Sequence, residues 1–427
     1  MKTENQKLLK AMSNNNLLKL GDILVGTIKS KKNVLIITFI FIATSLTGCW
    51  GQIGLGEMNL VTILGVDSAP NGETKVTVLV NAPAGTAAGM AQKTNVWIGT
   101  ATGTSFADAL TNLNSTANKR LVWYHTRAII VGSASAKESL AELLDFIVRN
   151  RQIRLSTHIL ITDGEANAML STPADVQQGL AQEIEGMIQN APESSKAYIP
   201  HIKDLLMAAS SKSAETLIGK IGYKMETQST YSTNRQEARN EYWIDRPFGT
   251  GYVEGSSVIK EDKLVGFLDE KQTRGCLWAL NKVEEANVSA KSDNDDIALE
   301  YRTSKASIKP KISGDKISIN IKLVVRGMLS ETTANKDYLK LPDLKEAQKL
   351  FEEEIKGEIS SAISKLQKEY NSDALGFDKT IRRKYPKQWK EIEPNWHSIF
   401  PEVEVNYDIK VILRRLGKTN NTILKKD

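Results

Sequence analysis

The sequence predicts a mixed α/β fold (α+β) made of several small domains, each with a β-sheet and packed helices. Helical and strand-like patterns alternate over residues 104–162. Apolar and polar residues alternate strictly over 317–325 and 403–413, and a long amphipathic helix lies between these segments. The C-terminal half is therefore predicted to be a mostly antiparallel sheet with one long helix on its face.

The chain opens with the layout of an export signal. Residues 34–47 are a run of 14 uncharged, mostly apolar residues, and lysines at 29, 31 and 32 stand just before it. Residues 46–49 read Leu-Thr-Gly-Cys, with small residues before a cut site. This pattern, called a lipobox, is similar to sites where bacteria attach diacylglycerol to a cysteine sulfur and cleave before it. We predict removal of 1–48 and a covalent diacylglycerol on Cys49.

Two other interpretations of this segment, a membrane-spanning helix and a buried core helix, agree less well with its length and composition. A membrane-spanning helix needs about 20 apolar residues, and residues 48–52 do not extend the run. A buried core helix is the other alternative, but this segment has no polar face and carries basic residues on one side only. Residues 1–28 are longer than a usual basic leader, so either translation starts later, as at Met12, or the leader is extended.

Composition excludes several classes of function. The formal charge is +6, but the leader contains seven lysines and two acidic residues, so the mature part has a charge of only +1. The basic pI therefore does not indicate nucleic-acid binding. With Cys49 lipidated, Cys276 has no partner for an intrachain disulfide, and its apolar surroundings in 275–280 predict a buried, inert thiol.

The mature chain begins with short strands. The apolar runs 60–66 and 75–80 predict two strands, and Pro-Asn-Gly at 70–72 predicts the turn between them. Residues 84–103 are rich in Gly, Ala and Thr, and are predicted to form a loop around one short strand at Trp97.

Helices and strands then alternate. We predict a helix over 104–114 and strands over 126–131 and 158–162. Ser135, with Glu138 three residues later, predicts a capping box at a helix start. The following helix buries one stripe at helical spacing, formed by Leu140, Leu143, Leu144 and Ile147. The helix over 104–114 has its own apolar face, formed by Phe106, Ala109, Leu110 and Leu113.

A polar segment divides the mature chain. A helix over 175–189 precedes it, with Val176, Leu180, Ile184 and Ile188 on one face. Residues 226–241 are polar and predict a linker, and residues 258–265 predict a hairpin. The predicted domains are a leader (1–48), an N-terminal α/β domain (49–225), a linker (226–250) and a C-terminal α+β region (251–420). Division of the last region into 251–310 and 311–420 is left open.

The C-terminal region has the clearest periodicity. A helix over 344–370 has one apolar stripe, and its other faces, including Glu354 and Glu358, are predicted to be exposed to solvent. The flanking strands alternate at every second position, so each has one buried face. The stripe consists of Ala347, Phe351, Ile355, Ile359, Ile363, Leu366 and Tyr370.

The sequence contains no recognisable catalytic motif. Four scattered histidines have no metal-ligand spacing, and there is no cysteine pair for zinc, no G-x-S-x-G elbow and no phosphate-binding loop with lysine. The glycine-containing segment 99–103 lacks that lysine. His125 precedes a strand and is predicted to be structural. We predict no catalytic, cofactor or metal site, and no enzymatic activity.

Several segments, taken in order, resemble one family. Residues 49–67 combine the cysteine with a first strand, and 119–132 read Lys-Arg-Leu-Val-Trp-Tyr-His-Thr-Arg followed by an aliphatic strand ending in Gly. Residues 144–154, 255–268 and Thr-Arg-Gly at 273–275 continue the series. The C-terminal segments are the most specific: Asn-Ser-Asp-Ala-Leu-Gly-Phe at 371–377, Tyr-Pro-Lys-Gln-Trp at 385–389, Trp396, Phe400 and 414–417. This set resembles the Ger(x)C lipoproteins, the C subunits of spore germinant receptors, over nearly all of the mature chain.

The resemblance implies a non-enzymatic receptor subunit tethered by lipid to the outer face of the inner spore membrane. Its partners would be a multi-span A subunit and a transporter-like B subunit, and nucleic acid is not expected. The long leader and the extra linker at 226–241 depart from the family pattern.

Two other classes share some of these features. One is a lipid-anchored solute-binding protein of a transporter, which should have two similar lobes of alternating strands and helices. The antiparallel C-terminal half argues against it. The other is a lipid-anchored cell-wall enzyme, which lacks support from any catalytic set.

Overall fold

The computed structural model describes residues 31–45, 54–82, 95–172, 179–209, 215–225, 249–292, 295–314, 316–332, 338 and 340–414. Cys49 with the rest of the lipobox after Ser45, Val176 and the linker residues 226–241 lie outside the described residues. The chain divides between Glu57 and Met58 into two compact units, which are described separately.

The first unit contains the predicted apolar segment of the export signal. It forms the helix α1 (Lys31–Ser45), with side chains 34–42 exposed, and a short 3-10 turn follows at Leu55–Glu57. Across the described part of the chain, helices long enough to cross a bilayer are not apolar enough, and α1 is too short.

The second unit contains strands in two sheets. Within the described residues, nine strands form a large sheet and four form a small sheet. The large sheet consists of β1 (Met58–Ser68), β2 (Thr74–Ala82), β3 (Asn95–Gly103), β4 (Arg120–Val122), β5 (Ala128–Gly132), β6 (His158–Thr162), β7 (Thr216–Met225), β8 (Gly249–Lys260) and β9 (Lys263–Leu268). The small sheet consists of β10 (Asn287–Ser292), β11 (Asp295–Ser313), β12 (Lys316–Thr332) and β13 (Glu404–Leu413).

Helices cover both sheets. Those associated with the large sheet are α2 (Phe106–Thr116), α3 (Ser133–Glu138), α4 (Ala141–Arg149), α5 (Ala166–Leu170), α6 (Leu180–Asn190) and α7 (Ile202–Ala209). Those nearer the small sheet are α8 (Glu270–Leu280), α9 (Leu341–Lys365), α10 (Phe377–Lys384), α11 (Pro386–Ile392) and α12 (Trp396–Ile399). A π-helical turn, Leu366–Tyr370, continues α9.

The large sheet is mixed and has an apolar core on each face. Its order is β3-β2-β1-β5-β6-β7-β8-β9, and β4 pairs with the first residues of β1. Strands β1, β5, β6 and β7 are parallel, and the outer strands join them antiparallel. Helices α2, α4 and α7 pack on one face, while α5 and α6 pack on the other. The predicted α/β organisation is therefore confirmed.

The small sheet supports the long helix. Strands β10, β11 and β12 are antiparallel, whereas β13 runs parallel to β12. The parallel direction follows from the connection, because the chain between β12 and β13 forms helices α9 to α12 and returns to the starting end. One face of β12 packs into the core with α9, through Ile319, Ile321, Leu323 and Val325.

Most predicted apolar stripes are buried, but the predicted start of one helix was wrong. The stripes of α2, α4 and α9 pack into the cores, with Tyr370 half-buried. The capping box predicted at Ser135 and Glu138 is absent, because α3 begins directly after Gly132 and contains Ser135. Glu138 instead accepts a hydrogen bond from the Ser68 hydroxyl. A capping box does form at Asp269 and Gln272, before α8.

Candidate functional site

The motifs of the sequence lie in two contrasting places. Residues 119–127 and 149–158 form a surface at the starting ends of β5 and β6, which we call the basic edge. Residues Glu215 and 371–378 form a buried polar cluster beside the end of α9, which we call the junction.

The basic edge exists because three strands run in the same direction. Strands β1, β5 and β6 are parallel neighbours, so the segments that precede β5 and β6 come together at one edge of the large sheet. Met58, the first residue of β1, is in register with Arg120 of β4. Ile63, five residues later, is in register with Ala128, so β1 begins beyond the start of β5 on this same side.

Positive charge dominates the basic edge. Its two segments contain six Lys or Arg residues and no Asp or Glu. All the arginines are exposed, and two of them pair with acidic residues of nearby helices, Arg127 with Glu185 and Arg149 with Asp145. Among the described residues, no acidic side chain pairs with the other three arginines, namely Arg120, Arg151 and Arg154.

Apolar side chains are exposed between these charges. Trp123 is buried in the core and fixes the loop before β5. The neighbouring Tyr124 is 50% exposed, and Leu155 in the other segment is 47% exposed. Two depressions flank the loop: one of about 570 Å³ with Arg120 and Trp123 in its lining, and one of about 270 Å³ with Tyr124 and Arg154.

The histidines of this region differ from the sequence prediction. His125, predicted to be structural, has an exposed side chain in the lining of the smaller depression, so it is not a core residue. His158, at the start of β6, is the more buried histidine and stacks on His201 with ring centroids 4.3 Å apart. Burial lowers the pKa of His158 below its usual value, and the nearby His201 lowers it further.

Asp373 organises the junction. Its carboxylate accepts hydrogen bonds from the backbone N–H groups of Phe377 (2.8 Å) and Asp378 (2.7 Å), which open α10, and from the Trp396 indole (3.2 Å). The chain bends sharply here because Asn371 and Gly376 both adopt left-handed backbone conformations, with φ of 45° and 71°. Burial raises the pKa of Asp373 well above its usual value, and the charge of Asp378 adds to this shift.

Glu215 links the junction to the large sheet. It directly precedes β7 and accepts a hydrogen bond of 2.6 Å from the backbone N–H of Asp373. Its other carboxylate oxygen has no hydrogen-bond partner among the described residues and lies 3.6 Å from Nδ1 of His397. Burial raises the pKa of Glu215 from 4.5 to about 7. The Thr-Arg-Gly motif lies against α9, and the Asn-Ser-Asp motif follows the π-helical turn that continues α9. Only the second motif contacts Glu215.

The prediction that Glu358 is exposed was wrong. Glu358 is only 3% exposed and pairs with Arg274 of α8, which is itself 8% exposed. The Trp278 indole donates a further hydrogen bond of 3.1 Å to the same carboxylate. An added Cβ at Gly275 would overlap the backbone carbonyl of Glu358, so this glycine permits the close approach of α8 and α9. Helix α9 therefore buries a second side, against α8, besides its apolar stripe.

Tyr370 covers part of the outer strand of the large sheet. Its hydroxyl donates to the carbonyl of Phe267 in β9 (2.9 Å) and accepts from the N–H of the same residue (3.2 Å). The ring lies where a side chain at Gly266 would project, so glycine is needed at that position. The π-helical turn at the end of α9 is thereby attached to β9, the outer strand, whose outward backbone groups at Phe267 would otherwise lack hydrogen-bond partners.

Of the two cysteines, the structure describes only Cys276. Cys49, the predicted lipid attachment site, lies outside the described residues. Cys276 is fully buried, and burial raises the pKa of its thiol to about 12, as expected for an inert core cysteine. Over the described ranges, no group of His, Cys, Asp and Glu side chains is arranged to hold a metal ion.

Comparison with known proteins gives matches over both halves of the chain. Residues 52–222 match the family described as "Spore germination protein N-terminal domain", and residues 254–417 match "Spore germination B3/ GerAC like, C-terminal". Spore germination protein B3 of Bacillus subtilis (strain 168) is 22% identical over 386 residues, covering 88% of this chain and 96% of that protein.

A second relative matches over a similar length of the chain. Spore germination protein KC of the same organism is 22% identical over 411 residues, with 92% of this chain and 98% of that protein covered. The crystal structure of the GerBC protein is similar with a TM-score of 0.49 and 18% identity, over 82% of this chain and 97% of that one. Because both family domains occur in order and the two relatives match over 88% and 92% of the chain, the chain belongs to the GerAC-like family of spore germination C-subunit proteins.

Proposed function

We propose that this protein is a lipid-anchored subunit of a nutrient germinant receptor, tethered through diacylglycerol on Cys49 to the outer face of the inner spore membrane. It acts there with a multi-span A subunit and a transporter-like B subunit. Its domains are an N-terminal α/β domain (49–225) and a C-terminal α+β region (251–420), joined by a linker (226–250).

The observation that carries this proposal is the order of the chain's parts. The predicted export signal, ending in Leu-Thr-Gly-Cys, is followed within a few residues by the first matched family domain, and the second domain follows it. An acyl chain gives about 0.8 kcal/mol per buried CH₂, so two chains on one cysteine hold a protein stably at a membrane.

We propose further that the subunit works by assembly and signalling, without catalytic turnover. The motifs that carry the family resemblance support this role. At the junction their polar groups are used internally, as helix caps. Between α8 and α9, the Thr-Arg-Gly motif supplies Arg274 to a buried ion pair. At the basic edge the motifs present three arginines that have no acidic partner among the described residues, together with exposed apolar groups, and this combination suits contact with another surface.

Gene deletion followed by nutrient challenge tests the proposal. Deletion spores should lose or slow their response to one set of nutrients and should germinate normally with agents that bypass receptors. Restoring the Cys49→Ala chain should give a weaker response than the natural chain, since a tether raises the encounter rate with membrane partners. Normal germination with every nutrient, together with a defect in solute uptake, would favour the solute-binding alternative instead.

A further inference from the structure

Strand β1, which begins beside the basic edge, starts close in the chain to the cysteine proposed to carry lipid. Eight residues separate Cys49 from Met58, where β1 begins. A chain of that length spans at most about 30 Å. Since β1 starts beside Arg120 and beyond the start of β5, an anchor on Cys49 restricts this edge of the large sheet to the neighbourhood of the lipid.

The charge of this edge is opposite to that of an anionic membrane. The mature chain has a net charge of only +1, yet the edge concentrates six cations in two segments that contain no acidic residue. Salt bridges engage only Arg127 and Arg149 among the described residues of these segments. The cations at 120, 151 and 154 are therefore available to phosphate groups.

The exposed side chains between the cations suit the same partner. Tyr124 has an apolar ring with a polar end, a type of side chain that favours the boundary between headgroups and acyl chains. Leu155 stands next to Arg154 and is half-exposed, so an arginine bound to phosphate would bring it to the lipid surface. The two depressions beside the loop leave room for headgroups around Arg120 and Arg154.

We propose that the basic edge is a membrane-contacting face that binds anionic phospholipid headgroups and fixes the orientation of the anchored protein. This inference rests on the proposed lipid anchor. The tether alone would leave the folded part free to rotate, whereas contact through the basic edge holds one side toward the bilayer.

A fluorescence experiment on the full mature chain tests the orientation. Leu155→Cys provides a thiol for a fluorophore, because Cys276 is buried and lipid occupies the sulfur of Cys49. Lys322→Cys, on an exposed position of β12 in the small sheet, is the matched control. Each labelled protein is placed in vesicles of phosphatidylcholine, or of equal parts phosphatidylcholine and phosphatidylglycerol, with a quencher on a fraction of the headgroups.

The label at 155 should be quenched in vesicles with phosphatidylglycerol, and much less in phosphatidylcholine alone or at high salt. The label at 322 should be unaffected by lipid charge. Each cation at an anionic surface favours contact by about five-fold, so Arg120→Gln, Arg151→Gln and Arg154→Gln together should lower the contact equilibrium on the order of a hundred-fold.

Two results would overturn the inference. One is equal quenching at 155 and 322, or quenching at 155 that does not depend on lipid charge. The other is shielding of 155 in native membranes but not in vesicles, which would make the face a protein-docking surface. Mass spectrometry of the same sample reports separately whether Cys49 carries lipid, so failure of the anchor is distinguished from failure of the contact face.

Discussion

The junction and the basic edge both contain charged family motifs, but the two regions use charge in opposite ways. At the junction, Asp373 is buried and accepts hydrogen bonds from three donors. Outside the junction, Glu358 of α9 likewise pairs with the buried Arg274 of α8. At the basic edge, Arg120, Arg151 and Arg154 are exposed. Removing a buried, partnered charge leaves its partner unsatisfied, whereas removing an exposed one changes stability little. The difference separates charges that maintain the fold from charges available to a partner.

The largest expected effect is at the buried ion pair. Glu358→Ala leaves Arg274 buried without its carboxylate and should lower the free energy of unfolding by about 3–5 kcal/mol. Glu354→Ala, one turn earlier, is the matched control. Its partner Lys271 is largely exposed, so the loss should be at most about 1 kcal/mol. Chemical denaturation of both variants measures the difference, and equal losses would contradict the assignment of Glu358 to a buried side of α9.

A pH effect should follow from Glu215. The pKa of Glu215 is about 7 in the folded chain and near 4.5 when unfolded, so the folded state holds the proton more tightly between these values. The free energy of unfolding should therefore fall as the pH rises through that window, by about 3 kcal/mol in total.

Glu215→Gln is the control for this pH effect. It should reduce that fall by the part due to Glu215. The contribution of Asp373, whose pKa is also raised, and the opposing contribution of the lowered pKa of His158 should stay in place. Denaturation curves at several pH values compare the two proteins. Identical pH profiles would show that Glu215 is not the titrating group, despite its position beside Asp373, His397 and Lys260.

A smaller effect on stability is expected where the π-helical turn at the end of α9 contacts β9 of the large sheet. Tyr370→Phe removes the hydroxyl that bonds both backbone groups of Phe267 and should cost about 1–2 kcal/mol. Tyr385→Phe is the control, since the Tyr385 hydroxyl has no hydrogen-bond partner among the described residues. Hydrogen exchange should show faster exchange at the Phe267 amide in Tyr370→Phe alone. Unchanged protection would mean that Tyr370 does not hold β9.

The smallest effect on stability is expected at the basic edge. Arg120→Gln, Arg151→Gln and Arg154→Gln should each change the free energy of unfolding by less than about 0.5 kcal/mol, because the side chains are exposed. Thermal denaturation of the three variants checks this. A loss comparable to that of Glu358→Ala would place these arginines with the buried charges that maintain the fold and remove the contrast between the two regions.

The sequence predicts regions whose folding depends on local periodicity. The stripes of α2, α4 and α9 and the alternating strands β12 and β13 follow from spacing of 3.6 or 2 residues, and the structure buries them. Contacts between distant segments are not predictable this way. Glu358 looks like a surface residue on its own helix, and its burial depends on Arg274, 84 residues earlier in the chain.

The candidate site was predictable only in part, for the same reason. Its cations are visible in the sequence, but 119–127 and 149–158 converge only because β5 and β6 are parallel neighbours. The direction of β13 likewise depends on the helical crossover that precedes it. The alternation of apolar residues within the strand does not predict that direction. His125 is the clearest example of what sequence position does not predict. Its place before a strand does not say whether its side chain is buried or exposed.

Mass spectrometry of the N-terminus of the mature protein, isolated from membranes, tests the central claim most directly. Both the receptor proposal and the orientation of the basic edge require a chain that begins at Cys49 with diacylglycerol on its sulfur. The expected result is an N-terminal peptide starting at Cys49 with the mass of the lipid added, and its loss in Cys49→Ala. An unmodified peptide that reads through Gly48 and Cys49 in the membrane-bound protein would contradict the account.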